Sequence, residues 1–474
     1  MPSNHSEYTQ SRISHWNGIA RARPAETFFS REYHRRLREI YRHLISPGLA
    51  VLELGCGRGD LLAAVAPARG VGVDFSAEML KAARQRHPQL TFIEADAHAL
   101  SLDEKFDVII LSDLVNDAYD MQAILEGIRP LCRPDARIIL NTYSRLHQPL
   151  LSLAGNLGLA TKLQPQNWLT PEDTENLLHL AGFEVIHRLR EILLPLPIAL
   201  ARELSNKVLV KVWPFSPFAW TNIHVARLTP VETRARPTVS VVIPARNESG
   251  NIESAFQRIP TMGSHTELIF VEGHSKDDTY SAIENAIAAH PEWDAKLFKQ
   301  TGKGKADAVR LGFEQASGDV LMILDADLTV RPEELPRFYE ALVSGKGEFI
   351  NGVRLVYPMQ EQAMRFLNLL GNKFFSMAFS WLLGQSIKDT LCGTKVLYKR
   401  AYERIAANRA YFGEFDPFGD YDLIFGAAKQ NLKIIDLPIR YQERTYGDTN
   451  IDRWRHGVLL FRMVAIAAVR LKFV

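Results

Sequence analysis

The chain has few cysteines, little net charge and no long hydrophobic run. Its 474 residues include three cysteines, Cys56, Cys132 and Cys392, which are far apart and lack C-x-x-C spacing. This pattern argues against a disulfide framework or a structural zinc site, and it fits a reducing cytoplasm. A formal net charge of +2, without a long basic run, gives no support for a nucleic-acid partner.

Sequence signals for secretion or membrane insertion are also missing. The first residues, MPSNHSEYTQ, lack the apolar core of a signal peptide. There is no stretch of about 18 or more uncharged apolar residues, so no membrane-spanning helix is predicted. We therefore expect a cytoplasmic protein.

Two series of strands alternating with helices can be recognised, which is typical of α/β units with sheets covered on both faces. The first unit is predicted over residues 1–228, and the second over 238–474. The segment between them, TPVETRARP (229–237), is polar, contains two prolines and reads as a linker. The predicted strands are AVLELG (50–55), GVGVDF (70–75), LTFIEAD (90–96), FDVIILSD (106–113) and ARIILNTY (136–143), then TVSVVIPA (238–245), TELIFVEG (266–273), GDVLMILDAD (318–327) and EFINGVRL (348–355).

A glycine-rich loop, ELGCGRGD (53–60), directly follows the first strand. Glycines permit positive φ and close approach of a ligand, although a tight strand–helix turn would need them equally. The helix after the loop would point its amide groups at that ligand. Asp74, Asp96 and Ser112 end the next three strands, and the carboxyl ends of parallel strands share one edge. We expect these residues to form one ligand site.

The loop has the spacing G-x-G-x-G, with an acid two residues before the first glycine, which differs from dinucleotide sites. With GVGVDFSAEML, IEADAHAL, FDVIILSD and the later WLTPEDTENLLHLAGFEVI, it resembles the class I S-adenosylmethionine-dependent methyltransferases. The resemblance implies a Rossmann-like fold and this cofactor. It also implies a methionine site at Gly55 and Gly57 with Glu53 at the amino group, a ribose site at Asp74, and an adenine site at Asp96 and Ala97.

Methyl transfer depends mainly on aligning the acceptor with the sulfonium, and a base is needed only if the acceptor must lose a proton. Asp113, Tyr143 and His147 are candidate bases near the predicted strand ends. Each is equally well explained as a structural or solvated residue, and the sequence favours none.

The second unit contains LMILDADLTV (321–330), an apolar run ending in Asp325 and Asp327. Two adjacent acids repel each other unless a cation neutralises them, and Mg²⁺ or Mn²⁺ would do so while binding a diphosphate. The alternative is a pair of solvated acids before a turn at Pro332. Before this run lie SVVIPARNESGNIESAF, LIFVEGHSKDDT and TGKGKADAVRLGF, the last without P-loop spacing.

In this order, VVIPARNE, FVEGHSKDDT, GKGKADAVRLGF, LDADLTV, DTLCGT and FGDYDLIFGAA resemble the family 2 glycosyltransferases of the GT-A fold. The resemblance implies a nucleotide pocket at Pro244, Ala245, Asn247 and Glu248, a nucleoside contact at Glu272, base or phosphate contacts at Lys303 and Lys305, and a metal–diphosphate site at Asp325, Ala326 and Asp327. Asn247 and Glu248 could instead cap a helix. The family often has two adjacent acids where this chain has Glu272-Gly273, so the nucleobase stays open.

The resemblance also implies an inverting transfer, in which a carboxylate takes the proton of a hydroxyl acceptor. Asp420, and after it Asp422, in GDYDL match the family's base region, the alternative being surface acids at a helix start. Arg440, Arg444 and Arg453 are candidate phosphate ligands or solvated side chains.

The tail GVLLFRMVAIAAVRLKFV (457–474) is apolar but carries Arg462, Arg470 and Lys472. On a helix that begins before the tail, Arg455, Arg462 and Arg470 would lie on one side. This pattern favours peripheral binding of 456–474 to the inner face of the cell membrane. AMRFLNLLGNKFFSMAFSWLLG (363–384) is a second candidate, and packing of both on the domain core is the alternative. Residues 435–457 resemble polyprenyl-phosphate (dolichyl-phosphate-type) transferases.

Together these patterns predict a bifunctional enzyme. It would transfer a sugar from a nucleotide sugar to a lipid-phosphate or glycan acceptor, and would methylate the same or a related envelope glycan or lipid. The alternative is a glycosyltransferase with a non-catalytic, cofactor-binding or scaffold half.

Overall fold

The computed structural model describes residues 5–22, 27–156, 164–231, 236–354, 366–412, 419, 421–442, 444, 446 and 453–474, with side chains omitted at 154–156, 366–370 and 453–456. The chain divides into two compact units. The first comprises Met1–Thr229 with Phe473–Val474, and the second comprises Pro230–Lys472.

The first unit is built on a seven-stranded sheet with the order β3-β2-β1-β4-β5-β7-β6. The strands are β1 (Ala50–Leu54), β2 (Arg69–Asp74), β3 (Thr91–Glu94), β4 (Phe106–Ser112), β5 (Cys132–Tyr143), β6 (Phe183–Glu191) and β7 (Thr221–Leu228). Strands β1 to β5 are parallel, and β7 runs antiparallel to both β5 and β6. The five predicted strands are present, but the sheet is mixed rather than purely parallel.

Eight helices accompany this sheet: α1 (His5–Ala22), α2 (Phe28–Leu44), α3 (Asp60–Ala64), α4 (Ala77–Arg86), α5 (Met121–Ile128), α6 (Gln148–Asn156), α7 (Pro171–Leu180) and α8 (Ala199–Glu203) among the residues described. The alternation of side chains along β1 builds a core on each face. Leu52 and Leu54 pack in the cluster that contains α5, whereas Val51 packs in the cluster that contains α2.

The second unit has its own seven-stranded sheet, in the order β10-β9-β8-β11-β13-β12-β14. Its strands are β8 (Val239–Ala245), β9 (Thr266–Glu272), β10 (Asp294–Lys299), β11 (Val320–Ile323), β12 (Phe349–Val353), β13 (Lys395–Tyr398) and β14 (Ile434–Pro438). Strands β8 to β11 are parallel, and β13 is antiparallel to β11 and β12. The strand predicted over 318–327 is shorter than expected, so Asp325 and Asp327 lie in a turn after it.

The second unit contains helices α9 (Ile252–Arg258), α10 (Thr279–Ala289), α11 (Lys305–Gln315), α12 (Leu335–Val343), α13 (Phe366–Leu383), α14 (Lys399–Ala407), α15 (Tyr421–Lys429) and α16 (Arg453–Ala467) within the described ranges. Along β11, Leu321 and Ile323 face one apolar cluster and Val320 and Met322 face the other. Among the residues described, none of the helices is long and apolar enough to cross a membrane.

Each sheet has a point where the strand order reverses direction, between β1 and β4 in the first and between β8 and β11 in the second. In open α/β sheets, ligands bind in the crevice at the carboxyl ends of the strands at such a point. The glycine loop follows β1, and the D-x-D pair follows β11. The glycine loop and the D-x-D pair therefore both lie at such a crevice.

Candidate active sites

The glycine loop of the first unit has a backbone conformation that suits glycine. Gly55, Gly57 and Gly59 have φ of 68°, 51° and 74°, in the left-handed region that side chains disfavour. Asp74 holds the loop, because one of its carboxylate oxygens accepts the Gly57 N–H at 2.8 Å and the other accepts the Ser76 N–H at 2.8 Å. Asp74 thus fastens the loop to the start of α4.

Glu53 is a buried carboxylate beneath this loop, with only 3% of its surface exposed. Burial raises its pKa well above the usual range, and Asp74 and Asp60 add to the rise, although the Leu62 N–H opposes it by donating to Oε2 at 3.0 Å. In the described part of the chain, Oε1 has no hydrogen-bond partner. A ligand ammonium group would restore the charged form, so this position fits the amino group of S-adenosylmethionine.

The residues predicted at the adenine lie further along the same edge. Asp96 accepts hydrogen bonds from the backbone N–H and the ring of His98, at 2.9 and 2.7 Å, and its second oxygen lies 3.3 Å from Nε2 of His5. Burial raises the pKa of Asp96, but these neighbours outweigh it and the pKa is lowered overall. Ala97 opens the following 3₁₀ turn, and Ser112 is the last residue of β4.

Helix α1 lies across this edge and was not predicted. Arg12 pairs with Asp117 at 2.6 Å, Trp16 donates to the same carboxylate at 2.7 Å, and Asn17 accepts the Ser76 hydroxyl at 2.7 Å. These partners are far from α1 in sequence, so no local pattern indicates them. The helix covers the elements that carry Asp74 and Asp96 and would enclose a cofactor bound there.

Asp113 follows β4 in a left-handed conformation, with φ of 55°. Its Oδ1 accepts the Tyr33 hydroxyl at 3.0 Å and the Asn141 amide at 2.5 Å, and Asn141 accepts the Tyr41 hydroxyl at 2.8 Å. Oδ2 has no hydrogen-bond partner among the residues described. Burial raises the pKa of Asp113 to about 7, against the effect of the two hydrogen bonds. Such a carboxyl group can accept a proton near neutral pH.

The other two candidate bases are less suitably placed. The Tyr143 ring packs 5.3 Å from Tyr33, and burial raises its pKa well above the usual value. His147 stacks on Trp220 at 3.9 Å, with Nε2 3.2 Å from the carbonyl oxygen of Phe218. The geometry therefore favours Asp113, which the sequence did not single out.

In the second unit, the predicted nucleotide residues lie at the ends of β8 and β9. Pro244 and Ala245 end β8, and Ala245 is paired with Glu272, the last residue of β9. Neither Asn247 nor Glu248 caps α9. Asn247 accepts the Lys276 N–H at 2.7 Å, and Glu248 accepts the Asn251 amide at 2.7 Å. These two side chains brace the loops that surround the crevice.

Each carboxylate of the D-x-D pair has its own cation. Asp325 lies 2.6 Å from Nζ of Lys305, and Asp327 lies 2.7 Å from Nη2 of Arg444. Burial raises the pKa of Asp325, but Lys305 outweighs it, so the pKa is lowered and the group is ionised. Asp327 also accepts the Thr329 hydroxyl at 2.8 Å. The pair is therefore a charged and ordered group.

Two further cations act electrostatically on Asp325, and the sequence did not predict them. Arg354 forms a two-pronged pair with Asp389 at 2.7 and 2.9 Å. Lys395 is fully buried and donates to the Cys392 carbonyl. Three cations, Lys305, Lys395 and Arg354, thus act on the two carboxylates Asp325 and Asp389. The excess positive charge favours an anionic ligand such as a diphosphate.

Gly393 leaves room for the Asp325 carboxylate and the Lys305 ammonium group. A Cβ atom there would lie 2.0 Å from Oδ2 of Asp325 and 2.4 Å from Nζ of Lys305. The carboxylates of Asp325 and Asp327 are the kind of oxygen ligand that a hard divalent cation such as Mg²⁺ or Mn²⁺ takes.

We expect Gly393→Ala to weaken nucleotide-sugar binding in the presence of Mn²⁺ by about 10²-fold, since it displaces Asp325. Isothermal titration calorimetry would measure this change. Gly371→Ala is the matched control, because a Cβ there meets nothing within 4 Å. Equal affinity of both variants would contradict the metal–diphosphate assignment.

The predicted base region is only partly described. Asp420 lies outside the described residues. Asp422 is buried at the start of α15, and its Oδ2 accepts from Arg310 at 3.0 Å and from Arg409 at 3.2 Å. Because this oxygen is held by two guanidinium groups, the geometry favours a structural role for Asp422.

The remaining predicted residues have simple environments. Lys303 and Arg440 are exposed, and Ala326 is buried between the two acids. The side chain of Arg453, like that of Arg455, lies outside the described part of the structure.

Helices α13 and α16 show features of both alternatives drawn from their sequences, which were packing on the domain core and an exposed apolar face. Buried residues of each, such as Phe379 and Met463, belong to the core of the second unit. The stripe Phe374, Met377 and Trp381 of α13 is exposed, and the exposed Phe461 of α16 lies 5.7 Å from Phe374. We call this the α13–α16 surface. It is an apolar face that the described residues of the chain leave uncovered.

Comparisons with known proteins address the two units separately. Residues 45–180 match the model of a methyltransferase domain, and residues 240–406 match glycosyl transferase family 2. A dolichol-phosphate mannosyltransferase of Pyrococcus furiosus is 31% identical over 219 residues, which is 45% of this chain and 59% of the relative. An undecaprenyl-phosphate 4-deoxy-4-formamido-L-arabinose transferase of Klebsiella pneumoniae is 25% identical over 48% of this chain and 66% of its own.

The chain spans between half and two thirds of the length of these curated relatives. Among solved structures, magnesium protoporphyrin IX methyltransferase of Synechocystis, with bound S-adenosylhomocysteine, aligns at TM-score 0.31 and 19% identity over 43% of this chain and 89% of its own. Glucosyl-3-phosphoglycerate synthase of Mycobacterium tuberculosis, with Mn²⁺ and UDP, aligns at TM-score 0.37 and 20% identity over 50% of this chain and 80% of its own.

The two family matches fall on the two sheets and contain the glycine loop and the D-x-D pair respectively. The chain therefore joins a methyltransferase domain to a glycosyltransferase domain of family 2.

Proposed function

We propose that the chain is a bifunctional enzyme, with methyl transfer assigned to residues 1–228, glycosyl transfer to 238–474, and residues 229–237 as the linker. The second unit transfers a sugar from a nucleotide sugar to a lipid phosphate, with Mg²⁺ or Mn²⁺ at Asp325 and Asp327. The first unit uses S-adenosylmethionine to methylate the same or a related envelope glycan or lipid.

The observation that carries the glycosyl-transfer proposal is the charge arrangement around Asp325. Ionised Asp325 and Asp327 offer oxygen ligands to a divalent cation, and Lys305 and Arg444, which now hold them, are placed to turn to a diphosphate. The metal would neutralise the departing nucleoside diphosphate. The ends of β8 and β9, with Asn247, Glu248 and Glu272, supply the walls for the nucleoside.

A lipid-phosphate acceptor is supported by the names of the relatives and by the α13–α16 surface. Relatives of the second unit are named for dolichol phosphate and undecaprenyl phosphate. The exposed stripe on α13, continued by Phe461, gives the apolar face that a protein needs at a membrane interface. We accordingly propose peripheral association with the inner face of the cell membrane through this surface, which includes part of 456–474. The buried, unpaired thiols fit that reducing side.

For methyl transfer, S-adenosylmethionine would supply the activated methyl group. Glu53 and the glycine loop would hold its methionine part, Asp74 its ribose, and Asp96 with Ala97 its adenine. Asp113 lies at the end of β4 with Oδ2 directed to no partner in the described chain, and it would take the proton of an acceptor hydroxyl. Tyr33 and Asn141 would hold its carboxylate in place.

A thermal-shift screen tests both halves at once. The full chain is heated with UDP-, GDP- and dTDP-sugars plus Mn²⁺, with and without S-adenosylmethionine. We expect one nucleotide sugar to stabilise the chain only with metal, and S-adenosylmethionine to stabilise it independently. No shift with any sugar would overturn the glycosyl-transfer proposal. No shift and no calorimetric heat with S-adenosylmethionine would leave the first unit as a scaffold.

The acceptor is tested with Asp420→Asn. A lipid phosphate is already ionised and needs no base, so we expect sugar transfer to polyprenyl phosphate to survive this change within about tenfold. Loss by 10²-fold or more, roughly the contribution of a general base, would favour a hydroxyl of a glycan as acceptor. Product in the organic phase of an extraction measures the transfer.

A further inference from the structure

The exposed apolar residues of the first unit are concentrated at one place. Of the thirteen exposed large apolar side chains that the structure describes in this unit, ten lie in residues 144–153 and 194–218. Trp213 and Leu200 are the most exposed, each at 84%. We call these two segments the apolar rim. Scattered surface leucines are ordinary, but a contiguous apolar region marks an interaction surface.

The rim is an ordered part of the fold. Buried Asn206 accepts the N–H groups of Leu193 and Leu194 at 2.7 and 2.8 Å and donates to the Leu194 carbonyl at 2.9 Å. Val210 and Ala219 are buried beneath the same segment. The exposed side chains therefore project from a backbone segment that these hydrogen bonds hold in place.

Both segments of the rim border the edge where the methyl acceptor must enter. Segment 144–153 follows β5, and segment 194–218 joins β6 to β7, whose first residue Thr221 pairs with Tyr143 at the end of β5. The segments meet where His147 stacks on Trp220 and where the Ser144 N–H donates to the Trp220 carbonyl at 2.8 Å. Tyr143 also packs against Tyr33, the partner of Asp113.

The composition of the rim suits a lipid interface. Trp213 and Phe218 lie among exposed leucines, and aromatic side chains with leucine are typical of the apolar face of interfacial segments. The basic residues Arg202, Lys207 and Lys211 of the rim are paired with carboxylates of the same unit, so the exposed apolar side chains, and not the charge of the rim, favour a lipid interface. A protein partner seated here would close the acceptor edge, whereas a bilayer would present an acceptor to it.

We propose that the methyl acceptor is anchored in a lipid bilayer and that the apolar rim docks the first unit on that bilayer. This inference rests on the proposed methyl transfer. It gives the first unit a membrane contact made by its own residues.

The test uses a fluorophore attached to Trp213→Cys in the full chain. The native thiols Cys56, Cys132 and Cys392 are buried, so labelling is directed to the new position. Vesicles contain phosphatidylethanolamine and phosphatidylglycerol at a ratio of 3:1, with or without brominated acyl chains. We expect brominated lipid to quench this label. The control Leu180→Cys, at a position 55% exposed on the end of α7, should not be quenched.

A second readout is Leu200→Ser/Trp213→Ser, which should weaken vesicle binding of the chain at least about tenfold. Leu180→Ser is its control.

Absence of quenching at position 213, whether or not the chain sediments with vesicles, overturns the proposal. A change in the fluorescence emission of the label as the protein concentration rises, in the absence of lipid, also overturns the proposal. It indicates that a second copy of the chain occupies the rim. Calorimetry with S-adenosylmethionine is run on the same samples, and quenching without cofactor heat would refute methyl transfer but keep the docking.

Discussion

Replacement of Asp325 by asparagine is expected to abolish glycosyl transfer, with a loss of about 10³-fold or more, because metal and diphosphate binding both depend on this carboxylate. Asp325 is held between Lys305, Lys395 and Arg354. Without its charge, three cations face the single carboxylate of Asp389, and a divalent cation is repelled. Methyl transfer by the other unit should be unchanged.

Sugar transfer and Mn²⁺-dependent nucleotide binding are measured on the same preparation. Asp294→Asn is the matched control, since it makes the same change at an exposed position at the start of β10. The double variant Lys305→Gln/Asp325→Asn removes one cation with the carboxylate. We expect it to recover the melting temperature of the parent chain, but not the activity, because the ligand oxygen is still missing.

The outcome that contradicts this account is specific. If Asp325→Asn retains more than a tenth of the parental activity and the same Mn²⁺ dependence, the metal is bound elsewhere. Asp325 would then be only a structural partner of Lys305.

Replacement of Asp113 by asparagine is expected to lower methyl transfer by about 10² to 10⁴-fold, the usual contribution of a general base. The fold should tolerate the change. Asparagine adopts positive φ more readily than most residues, and its oxygen can accept the same hydrogen bonds from Tyr33 and Asn141. What is lost is the oxygen that can accept a proton.

The pH dependence follows from the raised pKa of Asp113. The parental rate of methyl transfer should rise with pH through about 7, because only the ionised carboxylate accepts a proton. The residual rate of Asp113→Asn should be flat over that range. The rates are measured as labelled methyl groups transferred from S-adenosylmethionine to lipid-linked glycans extracted from the native host.

Stability gives an independent check with a definite sign. The folded-state pKa of Asp113 lies above the ordinary value, so its protonated form stabilises the fold below about pH 4, and this contribution is lost as the pH rises through about 7. Asparagine does not titrate. The melting temperature of Asp113→Asn relative to the parent should therefore increase from about pH 4 to about pH 8.

Asp103→Asn, at an exposed position of the same unit, is the control for both measurements. A methyl-transfer rate of Asp113→Asn within tenfold of the parent would exclude Asp113 as the base. The acceptor would then be one that attacks without losing a proton first.

The α/β class, the two sheets and the two families were predicted correctly, because each depends on local patterns. Apolar strands alternating with helices define the sheets, and a glycine loop or a D-x-D pair marks a strand end. Strands β6, β7, β10, β13 and β14 were missed. The sequence also gave no sign that β7 and β13 run antiparallel, since strand direction depends on how the connections cross the sheet.

The candidate sites could be predicted only in part. Residues at strand ends, such as Asp74, Glu272 and Asp325, lie in the expected crevices. The cations that hold the D-x-D pair come from distant segments. Lys305 was expected near phosphates, but its pairing with Asp325 was not, and Arg354 was not expected at all. Asp327 and Arg444 are 117 positions apart, and Asp422 and Arg310 are 112 positions apart, so no local pattern could pair them.

The sequence by itself determined that this chain has two α/β units and where along each unit a ligand loop lies, because strand periodicity and glycine placement are local properties. Only the tertiary structure decided that α1 packs against the elements that carry Asp74 and Asp96, that Asp113 is a buried carboxyl group with a raised pKa, and that apolar side chains are exposed in 144–153 and 194–218. Burial, pKa and exposure depend on neighbours in space, and those neighbours come from segments far apart in the chain.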